Sequence, residues 1–217
     1  MYLIEIIKSL DTHLFLFLNG LHNSFFDELM YAFSAKFTWI PLYAAVLYIV
    51  IRHWKKEAVW VALALILCIV ISDQVASGLI KHMVQRLRPS HVKELQGLVH
   101  LVHTYSGGLY GFVSSHASNT IGFALLSSLL FRQRVYTITI FSWAALTSYS
   151  RIYLGVHYPL DIVGGAMVGV MAALICFWAI RKFRPGLKPI DDGLQFKVPV
   201  YTFLISLLGI VIYSFIA

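Results

Sequence analysis

The chain has 217 residues, of which 59% are hydrophobic and 12% charged, and its mean hydropathy is +0.77. A soluble domain averages about 45–50% apolar residues, and here the excess falls in blocks long enough to cross a bilayer, which excludes an ordinary soluble protein and predicts one membrane domain over residues 1–217. The formal net charge of +7 is typical of orientation signals and lipid headgroup contacts, so membrane lipids are the expected partners and nucleic acid is not.

The first 35 residues combine helical character with polar side chains. The stretch LFLFLNGLHNSFFDELMYAF, residues 14–33, includes Asn19, Asn23, Asp27 and Glu28. An aspartate at the centre of a span costs about 2.5–3.5 kcal/mol on insertion scales. We therefore predict an N-terminal amphipathic helix that lies in the membrane interface.

Long apolar runs follow along the rest of the chain. They cover residues 38–51, 58–80, 113–131, 135–151, 159–180 and 199–217. The predicted fold class is therefore all-α, a polytopic transmembrane helical bundle with about six spans plus the interfacial helix. Cys68 and Cys176 fall inside these runs and are predicted to be small buried hydrophobic residues, without a disulfide or a metal.

The connections between the spans differ in charge. Residues 52–57, 132–134 and 181–197 together hold ten Lys or Arg, and the other side of the membrane holds six. The positive-inside rule places the first set in the cytoplasm and the connections 81–112 and 152–158 outside. This orientation, with no cleavable signal pattern in the first ten residues, favours a bacterial inner membrane with its polar site facing the periplasm or exterior.

Unusual polar residues occur at span ends that fall on the predicted outer side. In chain order they are Lys81, Arg88, Ser114, Ser115, His116, Arg151, His157 and Asp161. Because consecutive spans alternate sides, these distant segments are expected to meet in one pocket at the outer membrane surface.

The cations of this set suit a phosphate group. Lys81, Arg88 and Arg151 can bind its oxygens, and the hydroxyls and helix-start amides at 114–116 add further donors. Lys81 and Arg88 are seven residues apart, so they share a helix face if the helix continues that far, although Pro89 argues that it ends about there.

Two histidines can fill the roles that phosphoryl transfer needs. Asp161 follows His157 by four residues, and its carboxylate can hold one ring N–H while the other nitrogen acts as nucleophile. His116 has no carboxylate near it in the sequence, which suits a proton donor to the departing oxygen. No metal-ligand pattern accompanies them, so we expect neither a metal nor a cofactor, and the cations would stabilise the developing charge.

The three segments resemble the signature of the type 2 phosphatidic acid phosphatase (PAP2) superfamily of membrane lipid phosphatases. That signature runs K-x6-R-P, P-S-G-H and S-R-x5-H-x3-D, and residues 81–161 contain KHMVQRLRP, VSSH and SRIYLGVHYPLD. The first and third motifs match at every defining position. In the second, Val113 replaces Pro and Ser115 replaces Gly, so a Cβ at 115 is expected either to crowd the phosphate or to add a hydroxyl donor.

The resemblance implies a helical membrane phosphatase that works without metal. It implies that His157 forms a phosphohistidine, that Asp161 orients His157, and that His116 protonates the leaving group. The residues implied in phosphate binding are Lys81, Arg88, Ser114, Ser115 and Arg151.

The implied substrate is a lipid with a terminal phosphate or diphosphate. An isoprenyl diphosphate such as undecaprenyl diphosphate is our first expectation, followed by phosphatidylglycerophosphate, phosphatidate and lipid A phosphate, an order that rests on the small chain and on family habit. Two alternatives stay open, namely a lipid phosphotransferase with the same site and an anion transporter, which would need polar residues through the membrane. No pattern in the sequence predicts an oligomeric state.

Other polar and small residues have structural interpretations. Asp73 and Gln74, inside the second span, are expected to face the bundle interior and make structural hydrogen bonds. Gly165 and Gly169 predict close packing of the fifth span against a neighbour. Arg86 and Lys93 in the outer loop are predicted to be solvated or to contact a second phosphate or headgroup.

Overall fold

The computed structural model describes residues 2–190 and 196–217, and this part of the chain is helical, with β-pairing limited to an isolated bridge between Leu87 and Tyr110. The α-helices are α1 (Tyr2–Asn19), α2 (Ser24–Ser34), α3 (Ile40–Trp54), α4 (Ala58–Asp73), α5 (Lys81–Val84), α6 (Ser115–Phe131), α7 (Arg134–Tyr153), α8 (Pro159–Phe183) and α9 (Lys197–Ile216). A π-helical segment, Gln74–Ile80, joins α4 to α5. The predicted all-α fold is confirmed, and residues 191–195 of the predicted cytoplasmic connection lie outside the described residues.

Each predicted span coincides with helical structure whose limits differ from the prediction by three residues at most, where the second span comprises α4 and the π-helical segment up to Ile80. Within the described residues, three stretches are long and apolar enough to cross a membrane: Lys36–Val84, which holds α3 and α4, Pro159–Phe183 and Lys197–Ile216. α6 and α7 carry more hydroxyl-bearing side chains, many of which are buried against other helices. The count of six spans stays a prediction.

The N-terminal region forms two helices where the sequence predicted one. The chain turns over residues 20–23, and the Asn23 side chain accepts a 2.9 Å hydrogen bond from a backbone N–H at the start of α2. Asn is a preferred N-cap residue, so the helix restarts here. α1 buries Asp11, Phe15 and Asn19, which follow one another at four-residue intervals, and α2 packs against α7 and α9. The interfacial position of this region stays a prediction.

α6 and α8 form the closest helix pair at the centre of the bundle. A Cβ added at Gly165 would collide with the backbone oxygen of Ser114, and one added at Gly169 with that of Ser118. The predicted close packing at these glycines is confirmed. The absence of side chains there lets the two backbones touch, which fixes the start of α8 beside the start of α6.

The loop after α5 brings Arg88 to the site by a route that helical spacing did not predict. α5 ends at Val84, and Gln85 adopts a left-handed conformation with a φ of 49°. The chain then runs back beside residues 109–111, and the backbone N–H of Arg88 donates to the carbonyl of residue 109 at 3.1 Å. The helix therefore ends before Arg88. Lys81 and Arg88 do not share a helix face, and the explanation of their proximity by seven-residue helical spacing is wrong.

Candidate active site

A cavity of about 750 Å³ lies where α4, α6 and α7 meet the loop that precedes α8, and we call it the central cavity. The predicted site residues that line it are Lys81, Arg88, Ser115, His116, Arg151 and His157. The other two predicted residues, Ser114 and Asp161, lie behind its wall with 0% exposure. The structure thus brings together the four distant segments that the alternation of spans predicted to meet.

The start of α8 fixes the geometry of His157. Pro159 opens the helix and Asp161 lies in its first turn, where a carboxylate can accept N–H groups that have no partner within the helix. The Asp161 carboxylate accepts the backbone N–H of Tyr158 at 3.0 Å and contacts Nδ1 of His157 at 3.2 Å. Because Nδ1 is engaged, Nε2 is the ring atom available to a substrate.

The surroundings of His157 favour its neutral form. The side chain is 1% exposed. Burial, together with the positive charges of Arg88, Arg151 and Lys81, holds the pKa of His157 well below its usual range. The imidazole therefore keeps its lone pair at neutral pH, as a nucleophile requires.

Arg86 and Asp11 support Asp161, and sequence analysis missed this contact. Arg86 donates to Oδ1 of Asp161 at 3.0 Å and to Asp11 on α1 at 2.7 Å, and its guanidinium lies 3.9 Å from the centre of the Tyr158 ring. The predicted solvation of Arg86 is wrong, because two carboxylates pair with its guanidinium, and its contact with a second phosphate or headgroup stays a prediction. The available signal was the four-residue spacing of Asp11, Phe15 and Asn19 in an apolar helix.

Lys81 and Ser115 meet at the junction of the π-helical segment with α6. Lys81 Nζ donates to the Ser115 hydroxyl at 3.0 Å, and the Ser77 hydroxyl lies 2.6 Å from the same oxygen. Ser77 and Lys81 are four residues apart, so they lie on one side of their segment. The side chain at 115 therefore holds the lysine on the cavity wall, a contact that the family's glycine could not make.

Arg151 on α7 is 3% exposed and is held from two directions. One guanidinium nitrogen donates to the Ser34 hydroxyl at the end of α2, and another donates to the Tyr105 hydroxyl at 2.9 Å. Its Nε has no hydrogen-bond partner among the described residues. Arg151 also lines the cavity, where the positive charge of its guanidinium suits an anionic ligand. Ser34 and Tyr105 lie outside the sequence motifs, and no signal in the sequence pointed to them.

Arg88 is fixed by backbone oxygens. Its Nε donates to the carbonyl of Tyr110 at 3.1 Å and its Nη1 to the carbonyl of Val156 at 3.4 Å, while the residue is 8% exposed. Gly107, with a φ of +66°, lies so close that a Cβ there would be 2.7 Å from the guanidinium. The long outer loop thus folds over Arg88 and aims it into the cavity.

The start of α6 separates His116 from Ser114. His116 lines the central cavity, as does His157 on the opposite segment. Ser114 is the N-cap of α6, and its hydroxyl accepts the backbone N–H of Ala117 at 3.5 Å. The Ser114 side chain is therefore directed to the helix end and not to the cavity wall, so its predicted contact with phosphate has no geometric support.

The donor set of the cavity suits a tetrahedral anion attacked by an imidazole. Two histidines, four cations and several hydroxyl groups line the cavity, and the fourth cation, Lys36, lies outside the sequence motifs. Among the described residues, no group of three or more His, Cys, Asp or Glu could hold a metal ion. Charge that develops on a transferring phosphoryl group would here be met by guanidinium and ammonium groups.

Comparison with known proteins agrees with this chemistry. The family profile of the PAP2 superfamily matches residues 57–185. The lipid A 4'-phosphatase of Bacteroides thetaiotaomicron is 39% identical over 99% of this chain and 99% of its own, and that of Porphyromonas gingivalis is 41% identical over 77% and 71%. The crystal structure of the transmembrane PAP2 type phosphatidylglycerolphosphate phosphatase from Bacillus subtilis, 20% identical, covers 86% of this chain and 90% of its own with a TM-score of 0.59, which shows the shared fold. The chain therefore belongs to the PAP2 superfamily and is an integral membrane phosphatase that acts on lipid phosphates.

Proposed function

We propose that this protein removes the 4'-phosphate of lipid A. The observation that carries the proposal is the 39% identity to a lipid A 4'-phosphatase over 99% of both chains. It replaces the order of substrates expected from the sequence, in which undecaprenyl diphosphate came first and lipid A phosphate last. That order rested on the small size of the chain and on the substrates usual in the family. Neither depends on the residues that line the cavity.

The residues lining the central cavity support a two-step transfer. Nε2 of His157 attacks phosphorus, and the bond from phosphorus to the sugar oxygen breaks with its electron pair on that oxygen, which takes a proton from His116. A water molecule then gives a proton to His116 and attacks the phosphohistidine. The phosphorus–nitrogen bond breaks, its electron pair returns to His157, and inorganic phosphate leaves.

Cations stabilise the phosphoryl group during both steps. Lys81, Arg88 and Arg151 stand on the cavity wall, where they bind its oxygens together with the hydroxyl of Ser115. The carboxylate of Asp161 keeps His157 in the tautomer whose Nε2 is free. Ser114 contributes by capping α6, and we assign it no direct contact with the phosphoryl group.

The deeper part of the cavity favours a sugar over an isoprenyl chain. One turn from Ser115 along α6, Asn119 donates to Asp73 at 3.1 Å, and both residues line the cavity. Gln74 also lines the cavity and so faces the space between the helices. The expected structural hydrogen bond is present for Asp73, whereas the Gln74 side chain makes none with the described residues. A carboxylate and two amides match the hydroxyl and amide groups of an acylated amino sugar, whereas a second phosphate would be repelled by Asp73 and an apolar chain would leave these groups unpaired.

We further propose that the cavity opens on the periplasmic side of a bacterial inner membrane, surrounded by membrane lipids. Charge asymmetry supports this orientation, because the basic connections 52–57 and 132–134 lie away from the segments that carry the site. Cys labelling tests it. Gly108 is the better position, since a Cβ there has nothing within 4 Å, whereas one at Gly107 would strike Arg88. A G108C variant should react with an impermeant thiol reagent in intact cells, and reaction only after permeabilisation would reverse the orientation.

The proposed substrate is tested by a comparison of kcat/KM on lipid A, undecaprenyl diphosphate and phosphatidylglycerophosphate. The purified protein in detergent with a chelator should release phosphate from lipid A fastest, and mass spectrometry should show a product that keeps its 1-phosphate. A His157→Ala preparation controls for contaminating phosphatases. A higher kcat/KM on undecaprenyl diphosphate would overturn the substrate. Transfer of phosphate to a second lipid would establish the phosphotransferase, and loss of activity on chelation would exclude the metal-free mechanism.

A further inference from the structure

α1 is fastened to the site through a buried carboxylate. The Asp11 side chain is 1% exposed and has both oxygens engaged: Oδ2 accepts from Arg86 at 2.7 Å, and Oδ1 accepts the backbone N–H of Leu160 at 2.9 Å. Leu160 lies in the first turn of α8, where N–H groups lack partners within the helix. A residue in the first helix thus caps the helix that begins beside His157.

The second link runs from Arg86 to Asp161. The carboxylate of Asp161 has two oxygens: Oδ2 faces His157 and the backbone of Tyr158, and Oδ1 accepts from Arg86 at 3.0 Å. Asp161 is 0% exposed, so in the folded protein Arg86 and not bulk water satisfies this oxygen. Without Arg86 the carboxylate would lose the contact that fixes its rotation, and the hydrogen bond to His157 would lose its direction.

Arg86 acts from outside the cavity. It does not line the central cavity, whereas Arg88, two residues on, does. The two arginines therefore have different surroundings. Arg88 faces the cavity, whereas Arg86 contacts two carboxylates and the face of the Tyr158 ring. An arginine is suited to this place because its planar fork can contact Asp11 and Asp161 through different nitrogens, which a single ammonium cannot reproduce.

We propose that Arg86 is a positioning residue for the nucleophile and that α1, through Asp11, holds Arg86 in place, which makes the N-terminal helix part of the catalytic apparatus. The inference rests on the proposed role of His157 as the nucleophile. The chain of contacts runs from Asp11 to Arg86, from Arg86 to Asp161, and from Asp161 to His157. Since none of the first three residues lines the cavity, their loss should slow the chemical step without weakening substrate binding.

The test compares Arg86→Met, Arg86→Lys, Asp11→Asn and the double variant Asp11→Asn/Arg86→Met, with kcat and KM measured on lipid A and on p-nitrophenyl phosphate. Loss of a residue that orients a reacting group through another typically lowers activity by about 10–100-fold. We expect Arg86→Met to lower kcat by about 100-fold and Asp11→Asn by about 10-fold with KM little changed. Arg86→Lys should restore part of the loss, and the double variant should match Arg86→Met because the two residues act in one chain.

Two control variants separate positioning from folding. Lys93→Met removes an exposed cation from the same loop and should leave kcat unchanged. Asn19→Ala removes a different attachment of α1, where Asn19 donates to the carbonyl of Tyr153 at 2.7 Å, and should lower thermal stability without lowering kcat in the folded fraction. Wild-type kcat in folded Arg86→Met, a loss confined to KM, or additive effects in the double variant would overturn the proposal.

Failure of the proposed function gives a different result. If lipid A is not hydrolysed, p-nitrophenyl phosphate still reports the kcat of every variant, and the Arg86 prediction is unchanged. If His157→Ala retains activity, the nucleophile is misassigned, whatever the Arg86 variants do. If His157→Ala is inactive and Arg86→Met is fully active, the positioning role alone is refuted.

Discussion

Substitution of Asp73 by Asn tests whether the depth of the central cavity recognises a sugar. Asp73 lies at the end of α4 and accepts from Asn119 at 3.1 Å, and both side chains line the cavity. The replacement keeps the size of the side chain and an oxygen that can still accept from Asn119. It removes the negative charge and exchanges one acceptor for a donor.

The expected magnitude follows from the hydrogen bond that is lost. A hydrogen bond to a charged group contributes about 1.5–3 kcal/mol, which corresponds to about 10–150-fold in kcat/KM if the contact to the sugar is made in the transition state. Loss of the Asp73 charge should lower kcat/KM only for substrates that can donate a hydrogen bond to this carboxylate. For p-nitrophenyl phosphate, whose phosphate would contact only the cations of the proposed site, we expect a change of about twofold or less.

The assay measures kcat/KM of Asp73→Asn on lipid A, on undecaprenyl diphosphate and on p-nitrophenyl phosphate. Glu94→Gln, which removes an exposed carboxylate from the outer loop, is the matched control and should leave all three values unchanged. Repulsion of a second phosphate by Asp73 predicts that activity on undecaprenyl diphosphate rises or stays level. An equal loss on all three substrates would refute the reasoning, because it would mean that Asp73 supports the fold and not the sugar.

Other substitutions test the site and the helix packing. His157→Ala should lower kcat by several orders of magnitude with folding preserved, and near-wild-type turnover would remove it as the nucleophile. Ser115→Gly restores the family's residue but leaves Lys81 without its 3.0 Å acceptor, so we expect KM to rise by about 3–10-fold, and an unchanged KM would show that the hydroxyl is dispensable. Gly169→Val should separate α6 from α8 at Ser118 and lower the free energy of unfolding by about 3 kcal/mol or more, measured by thermal unfolding in detergent. An unchanged melting temperature would contradict the close packing.

Helix positions were predictable because the apolar runs are long and the polar residues at their ends are sparse. The limits of α8 follow from Pro159 and the basic residues near 181–184, and the small-residue pair Gly165 and Gly169 identified its packing face. The division of the N-terminal region was harder to predict. Its polar residues indicated that it was not an ordinary span. They did not show where it divides, because Asn23, whose side chain caps α2, is equally compatible with the polar face of one continuous amphipathic helix.

The cavity wall was predictable where residues occur in motifs, and not where contacts depend on loop conformation. Lys81, Arg88 and Arg151 were identified from their motifs. The expectation that helical spacing places Lys81 and Arg88 on one helix face was wrong, because α5 ends at Val84, before it reaches Arg88. Tyr105 reaches Arg151 from the long outer loop. A loop of this length contains no periodic pattern, so no spacing rule connects it to α7.

The site contains polar groups whose hydrogen bonds are complete and one whose hydrogen bonds are not, and this difference explains how it can be rigid and still bind a ligand. Asp161 has both oxygens engaged, so the support of His157 is complete without a substrate. Arg151 has two nitrogens engaged but an Nε without a partner among the described residues, and it lines the cavity. Burial of an unpaired donor is costly, and under the proposed function the negative charge of a phosphoryl group beside Arg151 would offset part of that cost. Under the proposed function, the fold completes the hydrogen bonds of the groups that would orient the nucleophile and leaves incomplete those of a residue that would bind the phosphate. This is the pattern expected of a site that binds an anion more tightly as its charge develops.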